Sequence, residues 1–192
     1  MALPTKLEAV NIMISVIGES PVNTLNGTSV PVTVTQAVHA LEETSKAIQS
    51  EGWHFNTEYD YPLVPDAVTS RITLPVNTLK VDLDPEIYTD SDPVQRGLKL
   101  YDRKNHRDTW TKDLKAIITF ELDFEELPEQ FRHYISVKSA RIFAARFLGS
   151  REIEGFALRD EVEAKARAIE SDSETADRTI FDNYSVLRVL DR

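Results

Sequence analysis

Cysteine is absent from the 192-residue chain. That removes disulfides, thiolate metal sites and cysteine nucleophiles together, and it fits folding in a reducing cytoplasm. Glycine is scarce, with 6 in all. None falls in a Walker A or Gly-x-Gly-x-x-Gly pattern, so phosphate-cradling loops have no support. No Gly-x-Ser-x-Gly elbow occurs either. The histidines, His39, His54, His106 and His133, are scattered without His-x-x-x-His or His-Glu-x-x-His spacing, which leaves a zinc site without ligands. No apolar run approaches the roughly 18 residues that span a bilayer, so a membrane helix is not expected. Residues 1–17 are interrupted by Lys6, Glu8 and Asn11 and read as an amphipathic helix, with no signal peptide. Internal repeats and low-complexity tracts are also missing.

What is present is a globular composition with an acidic balance. Hydrophobic residues make up 41% of the chain, enough for a core. The formal net charge is -10, which repels phosphate backbones and disfavours tight nucleic-acid binding.

The local patterns divide the chain into helical ends and a β-rich middle. Thr5-Lys6-Leu7-Glu8 is a capping box, and Leu7, Val10, Ile14 and Ile17 follow at helical spacing to a stop at Gly18 and Pro21, predicting a helix over 5–17. Thr33-Val34-Thr35-Gln36 gives a second capping signature; Ala37, Leu41, Thr44 and Ile48 keep one face, and Gly52 ends this helix. The period then changes. Trp53, Phe55, Thr57, Tyr59 and Tyr61 alternate as in a half-buried strand. Ile72 and Leu74, then Leu79, Val81 and Leu83 across Pro75-Val76-Asn77, suggest a hairpin. Leu98 and Leu100 start a further strand with a turn at 105–108, and Ile118, Phe120 and Leu122 mark the last one. Helices resume at Leu127-Pro128, where proline suits a first turn and Glu125, Glu126 and Glu129 complement the dipole. Phe131, Tyr134, Ile135, Ile142 and Ala145 mark the buried face up to Gly149. Ser150 can cap a fourth helix running through Ala157, Ala164 and Ala168 to about Ser171. A polar stretch without period follows, and then an apolar-rich end.

Candidate chemistry is thin. Asp82, Asp84, Glu86, Asp90 and Asp92 begin like a calcium loop, but Ile87 stands where the loop needs glycine and Pro85 breaks the spacing, so a solvated loop is expected. Paired carboxylates such as Asp82 with Asp84, or Glu125 with Glu126, are the requirement of a glycan hydrolase, the alternative enzymatic reading. With 32 acidic residues such pairs are inevitable, and helix capping accounts for Asp123, Glu125 and Glu126. Two basic groups stand out. Arg103, Lys104, His106 and Arg107 occupy a turn and serve either as a soluble tip or as a partner contact. Arg132, Lys138, Arg141 and Arg146 lie along a helix and either meet a neighbouring subunit's acids or balance the helix itself.

Several blocks, in order, carry a family resemblance: Ile17-Gly18-Glu19-x-Pro21-Val22 with Thr24-Leu25; Ile48-Gln49-Ser50-x-Gly52-Trp53-x-Phe55-Asn56; Leu100-Tyr101-Asp102-Arg103; Leu127-Pro128-Glu129-x-Phe131-Arg132-x-Tyr134-Ile135; and Arg146-Phe147-x-Gly149 with Glu154-Gly155. Together they span about residues 7–160, and the chain resembles tail tubular protein A, the head-to-tail adaptor of short-tailed podovirus bacteriophages. The resemblance implies a helical bundle with a β-rich lobe, assembled as a dodecameric ring beneath the portal and above the nozzle protein. Such a ring extends the channel through which double-stranded DNA passes without specific binding, and it offers attachment sites for tail fibres. It implies no catalytic residue, no cofactor, no metal and no membrane contact. It implies a place in the virion tail after synthesis in the host cytoplasm.

The resulting expectation is an α+β chain, mainly α. A four-helix bundle is formed by residues 1–52 and 124–172, a β-rich lobe is inserted at 53–123, and a docking tail covers 173–192. Trp53, Phe55, Phe131, Tyr134 and Phe147 are expected in the subunit's own core. The expected partner-binding residues are Phe181, Tyr184, Val186, Leu187 and Leu190 in the tail, with Arg103, Lys104 and Arg107 in the basic turn. The subunit is expected to be a homo-oligomer, a dodecamer in the virion, and a monomer in isolation is compatible with that.

Overall fold

The structure, a computed structural model, describes residues 4–27, 30–148 and 151–176. These residues form four helices and small antiparallel sheets, and the chain divides into two compact units. One comprises Met1–Thr44 with Phe124–Arg192, and the other Ser45–Asp123. The first change of unit therefore falls inside a helix, upstream of Gly52. None of the helices among the described residues is long and apolar enough to cross a membrane.

The first unit is helical. Helix α1 (Lys6–Val16) opens on the expected capping box: the Thr5 hydroxyl accepts from the Glu8 N–H at 3.2 Å while Glu8 accepts from the Thr5 N–H at 2.8 Å. It closes on Gly18, whose φ of +84° suits a residue without Cβ. The Gly18 and Glu19 N–H groups return to the Ser15 and Ile14 carbonyls in a Schellman arrangement. Asn11 then clamps the following loop with both ends of its amide, donating to the Val22 carbonyl at 2.9 Å and accepting from the Val22 N–H at 2.8 Å. The buried face of α1 is Ala9, Val10, Met13 and Ile14. It is rotated from the predicted Leu7–Ile17 line because small Ala9 and flexible Met13 pack inward, while Leu7 and Ile17 stay half-buried.

Helix α2 (Val32–Gln49) starts two residues earlier than its sequence signature suggested. Thr33 lies within the first turn, and its hydroxyl donates to Glu19 at 2.6 Å. Ala37, Leu41, Thr44 and Ile48 are buried as the spacing required. Helix α3 (Glu129–Leu148) follows Pro128, whose carbonyl takes the Phe131 and Arg132 N–H groups. Its core residues are Phe131, Tyr134, Ile135, Phe143 and Ala144. Ile142 is half-buried and Ala145 exposed, so the packed face turns toward Phe143 in the second half of the helix. Phe147, expected in the core, is 44% exposed and leans on Phe143 at 4.6 Å between ring centroids. Helix α4 (Arg151–Thr175) packs on α3 through Ala164 and Ala168. It continues through the polar run after Ser171, where Ser and Thr hydroxyls take up carbonyls one turn earlier instead of competing for the backbone from outside the helix: Ser173 to Ile169 and Thr175 to Ser171. Gly149, Ser150 and the predicted tail contacts lie outside the described residues.

The second unit is the β-rich one. Strands β1 (Thr57–Leu63), β2 (Thr78–Leu83) and β5 (Leu114–Phe120) form an antiparallel sheet in the order β1-β5-β2, and β3 (Pro93–Arg96) pairs with β4 (Lys99–Asp102) as a hairpin. The core contains Leu63, Ile72, Val81, Leu100, Trp110 and Ile118, among others. Three expectations are corrected here. Residues 54–56 form a short 3-10 turn, so β1 begins at Thr57 and Trp53 and Phe55 are half-buried outside it. Asp60, at φ +56°, makes a bulge opposite Ile117 that turns Tyr59 out to solvent. Ile72 and Leu74 are not hairpin partners of β2. They bond instead toward β4, with the Leu74 N–H on the Leu98 carbonyl and the Leu100 N–H on the Ile72 carbonyl.

Candidate functional site

Three places in the molecule concentrate polar bonding or bare apolar surface. The first is the segment from Gln49 to Asn56. Gly52, at φ +82°, ends α2, and its α-hydrogen faces the Thr57 and Thr119 hydroxyls. Buried Asn56 donates to the Gln49 carbonyl at 3.0 Å and the Phe120 carbonyl at 2.8 Å, and accepts from the Trp53 N–H at 2.9 Å. Buried Gln49 accepts from the Leu122 N–H at 2.8 Å and donates to its carbonyl at 3.1 Å. The Trp53 indole N–H reaches the Ile48 carbonyl at 2.7 Å. These side chains add second bonds to the Ile48 and Gln49 carbonyls, which already take the Glu51 and Gly52 N–H groups, and they bond backbone groups of Phe120 and Leu122 at the end of β5. Within its unit, this knot ties the helix end to the sheet.

The second place is the basic turn after β4. Its centre is Asp102, which is fully buried. Its carboxylate accepts from the Asp92 N–H at 3.1 Å, the Lys104 N–H at 3.1 Å, the Asn105 N–H at 3.2 Å and the Asn105 amide at 2.7 Å, with Arg107 Nε at 3.8 Å. Burial pushes the Asp102 pKa up, but the donated bonds outweigh it and hold the carboxyl below the ordinary aspartate value. An acid held ionised by this many fixed donors is an anchor. Around it, Arg103 pairs with Asp92 at 2.7 Å and Lys104 Nζ donates to the Thr89 carbonyl at 2.8 Å. The structure thus brings Arg103, Lys104 and Arg107 together at one turn, but their charged heads are engaged within the chain. His106 takes φ +54° there, part of the tight geometry that Asp102 imposes.

The helical basic group behaves the same way. Arg132 is buried and donates to the Leu127 carbonyl at 2.7 Å and the Pro4 carbonyl at 3.3 Å. Arg141 bonds Glu161 and Arg146 pairs with Glu43 at 3.2 Å. Lys138 sits over the Tyr134 ring at 5.5 Å. In the acidic stretch, Asp82 and Asp84 accept from the N–H groups of Leu83 and Glu86 as local turn caps. Glu125 accepts from the Lys6 N–H at 3.2 Å. Among the described residues no three His, Asp or Glu side chains converge as a metal-binding group.

The third place is apolar and exposed. On α4, Leu158, Val162 and Ile169 fall on one stripe, about a third of a turn away from the buried alanines. Val162 is 63% exposed. In the β-rich unit, Val68 is 92% exposed at the tip of a firmly built turn. There Asp66 accepts from the Thr69 N–H, the Thr69 hydroxyl and the Val68 N–H, bonds that lower its pKa in that order of effect. Neither feature was singled out from sequence. The stripe was readable from the spacing of Leu158, Val162 and Ile169, but the alanines beside it drew the eye to the packed face. Asp102 gave no signal beyond its place in a motif, because its partners are backbone groups from two separate loops.

A protein-family model described as Tube, tail tubular protein, matches residues 7–178. No curated protein matches the chain. Every block of the resemblance that lies in described residues holds such a fastener: the Gly18 stop and Asn11 clamp, the Gln49–Asn56 knot, the Asp102 hub, the Arg132 bonds and the Arg146 ion pair.

Proposed function

The chain belongs to the tail tubular protein family, whose members are structural components of the phage tail, and on that premise we propose that it serves as one subunit of a ring-shaped adaptor joining the portal to the tail nozzle. In this reading its four helices close into a bundle, twelve copies surround the DNA channel, and the ring's outer surface offers tail-fibre attachment. The family match over most of the chain carries the proposal. Two physical features support it. The chemistry of the motif blocks is spent on internal fastening, which suits a rigid building block. Apolar side chains also stand bare on a helix whose neighbouring face, about a third of a turn away, is already packed, as expected of a surface that a partner covers. A net charge of -10 is compatible with a channel wall that lets DNA slide without holding it.

The tail after α4 is the proposed docking element, through Phe181, Tyr184, Val186, Leu187 and Leu190. The expectation that it starts at 173 needs adjustment, since α4 extends to Thr175. A cut before Ser173 would remove the last helical turn along with the tail. Removing residues 177–192 instead is expected to leave thermal unfolding unchanged while abolishing capture by portal in a pull-down followed by negative-stain imaging. Portal-bound rings formed by the shortened chain would contradict the role given to the tail.

A further inference from the structure

The α4 stripe has a fitting occupant in the chain's own sequence. Leu158, Val162, Lys165 and Ile169 are four, three and four residues apart and exposed along one line of the helix. Beyond Ala176, the residues Ile180, Tyr184, Leu187 and Leu190 are four, three and three apart. Run antiparallel, the two series keep the same spacing over the first three positions and differ by one residue at the last. Ile169 meets Ile180, Lys165 meets Tyr184, Val162 meets Leu187 and Leu158 meets Leu190. The one charged member of the stripe, Lys165, then faces the one aromatic ring of the other series, a pairing that suits both its aliphatic stem and its ammonium. Such complementary seams at 3.5-residue spacing are how helical surfaces recognise one another.

Length decides whose tail it is. Helix α4 runs on past Ile169, and the Ala176 N–H still bonds the Asp172 carbonyl. Ala176 therefore stands about 10 Å beyond Ile169 along the axis. A segment packed alongside lies about 9 Å off that axis, so a chain folding back on itself must span about 14 Å between Ala176 and Ile180. Four residues at full stretch cover about 13–14 Å. A fold-back within one chain would pull the link taut, whereas a segment arriving from another copy meets no such limit. We infer that the α4 stripe of each subunit is covered by the 180–190 segment of a neighbouring copy. This rests on the ring reading above and gives Ile180, Tyr184, Leu187 and Leu190 to an adjacent copy, so that a chain without the tail fails to reach the portal because its copies no longer hold each other in a ring.

The absence of native cysteine makes the test clean. Val162→Cys and Leu187→Cys are introduced singly into separate chains, and phage particles are assembled from a mixture of the two. Oxidation of the particles is expected to give a disulfide-linked dimer that needs both variants and disappears on reduction. A chain carrying both substitutions is expected to give linked ladders in particles. A faster-running, internally closed monomer would show the fold-back within one chain and overturn the inference. So would a dimer formed by Val162→Cys alone, which would put two α4 stripes face to face, or the lack of any dimer in particles holding a full complement of the protein. That last result would leave the ring reading standing, whereas particles in which this protein forms no ring would remove both.

Discussion

Replacing Asp102 with alanine is expected to destabilise the β-rich unit by about 3 kcal/mol, because three backbone N–H groups and the Asn105 amide lose a shared buried acceptor. Both tryptophans, Trp53 and Trp110, lie in that unit, so urea unfolding followed by tryptophan fluorescence reports on it selectively. Asp102→Asn should also lower the midpoint, since its amide would set a donor against donors. The same carboxylate gives a pH signature. Its folded-state pKa lies below the ordinary value, so the unfolded chain takes up the proton more readily than the folded one. The stabilisation is fully present above the unfolded pKa of about 3.9 and is lost as pH falls through the lower folded value. The wild-type unit should therefore weaken in that acid window, and the Asp102→Ala variant should show a flatter profile there. A variant as stable as the wild type at neutral pH would show that water replaces the carboxylate and that the turn does not depend on it.

Asn56→Ala is expected to have a comparable effect, about 2–3 kcal/mol, since the Phe120 carbonyl and the Trp53 N–H lose the bonds that buried Asn56 makes, while the Gln49 carbonyl keeps the Gly52 N–H. Gln49 is itself buried and holds both backbone groups of Leu122. The two side chains share the Gln49 backbone, so the Gln49→Ala, Asn56→Ala pair should cost less than the sum of the single changes by at least about 0.5 kcal/mol. Additive losses would mean that the knot is two independent ties. Trp53 fluorescence should also shift to the red in Asn56→Ala, as the indole loses its fixed seat near the Ile48 carbonyl.

The parts of the fold legible in the sequence were those set by neighbours along the chain. The Thr5–Glu8 capping box, the Gly18 and Gly52 stops and the buried series Ala37, Leu41, Thr44, Ile48 all depend on contacts within a few residues, and each is found where expected. What escaped depends on distant partners. Thr33 looked like a cap, but Glu19 is within reach and takes its hydroxyl. Alternation from Trp53 to Tyr61 looked like one strand, but the Asn56 side chain curls its first residues into a 3-10 turn and Asp60 bulges the rest. Trp110 carried no periodic signal at all and became a core residue through its indole bond to the Leu100 carbonyl at 3.1 Å. Of the candidate contacts, Arg103, Lys104 and Arg107 were correctly gathered into one turn. Their internal pairing was not foreseen, because Asp92 and Thr89 approach from another loop.

The central claim is that this chain is a tail-ring subunit whose motifs fasten it internally and whose bare apolar surfaces are covered by its neighbours. Imaging the head–tail junction of intact virions by electron cryomicroscopy tests it most directly. The account predicts a closed ring of this polypeptide between portal and nozzle, with each α4 stripe buried against an adjacent copy. A junction built from another polypeptide, or a ring in which Leu158, Val162 and Ile169 face solvent, would contradict it.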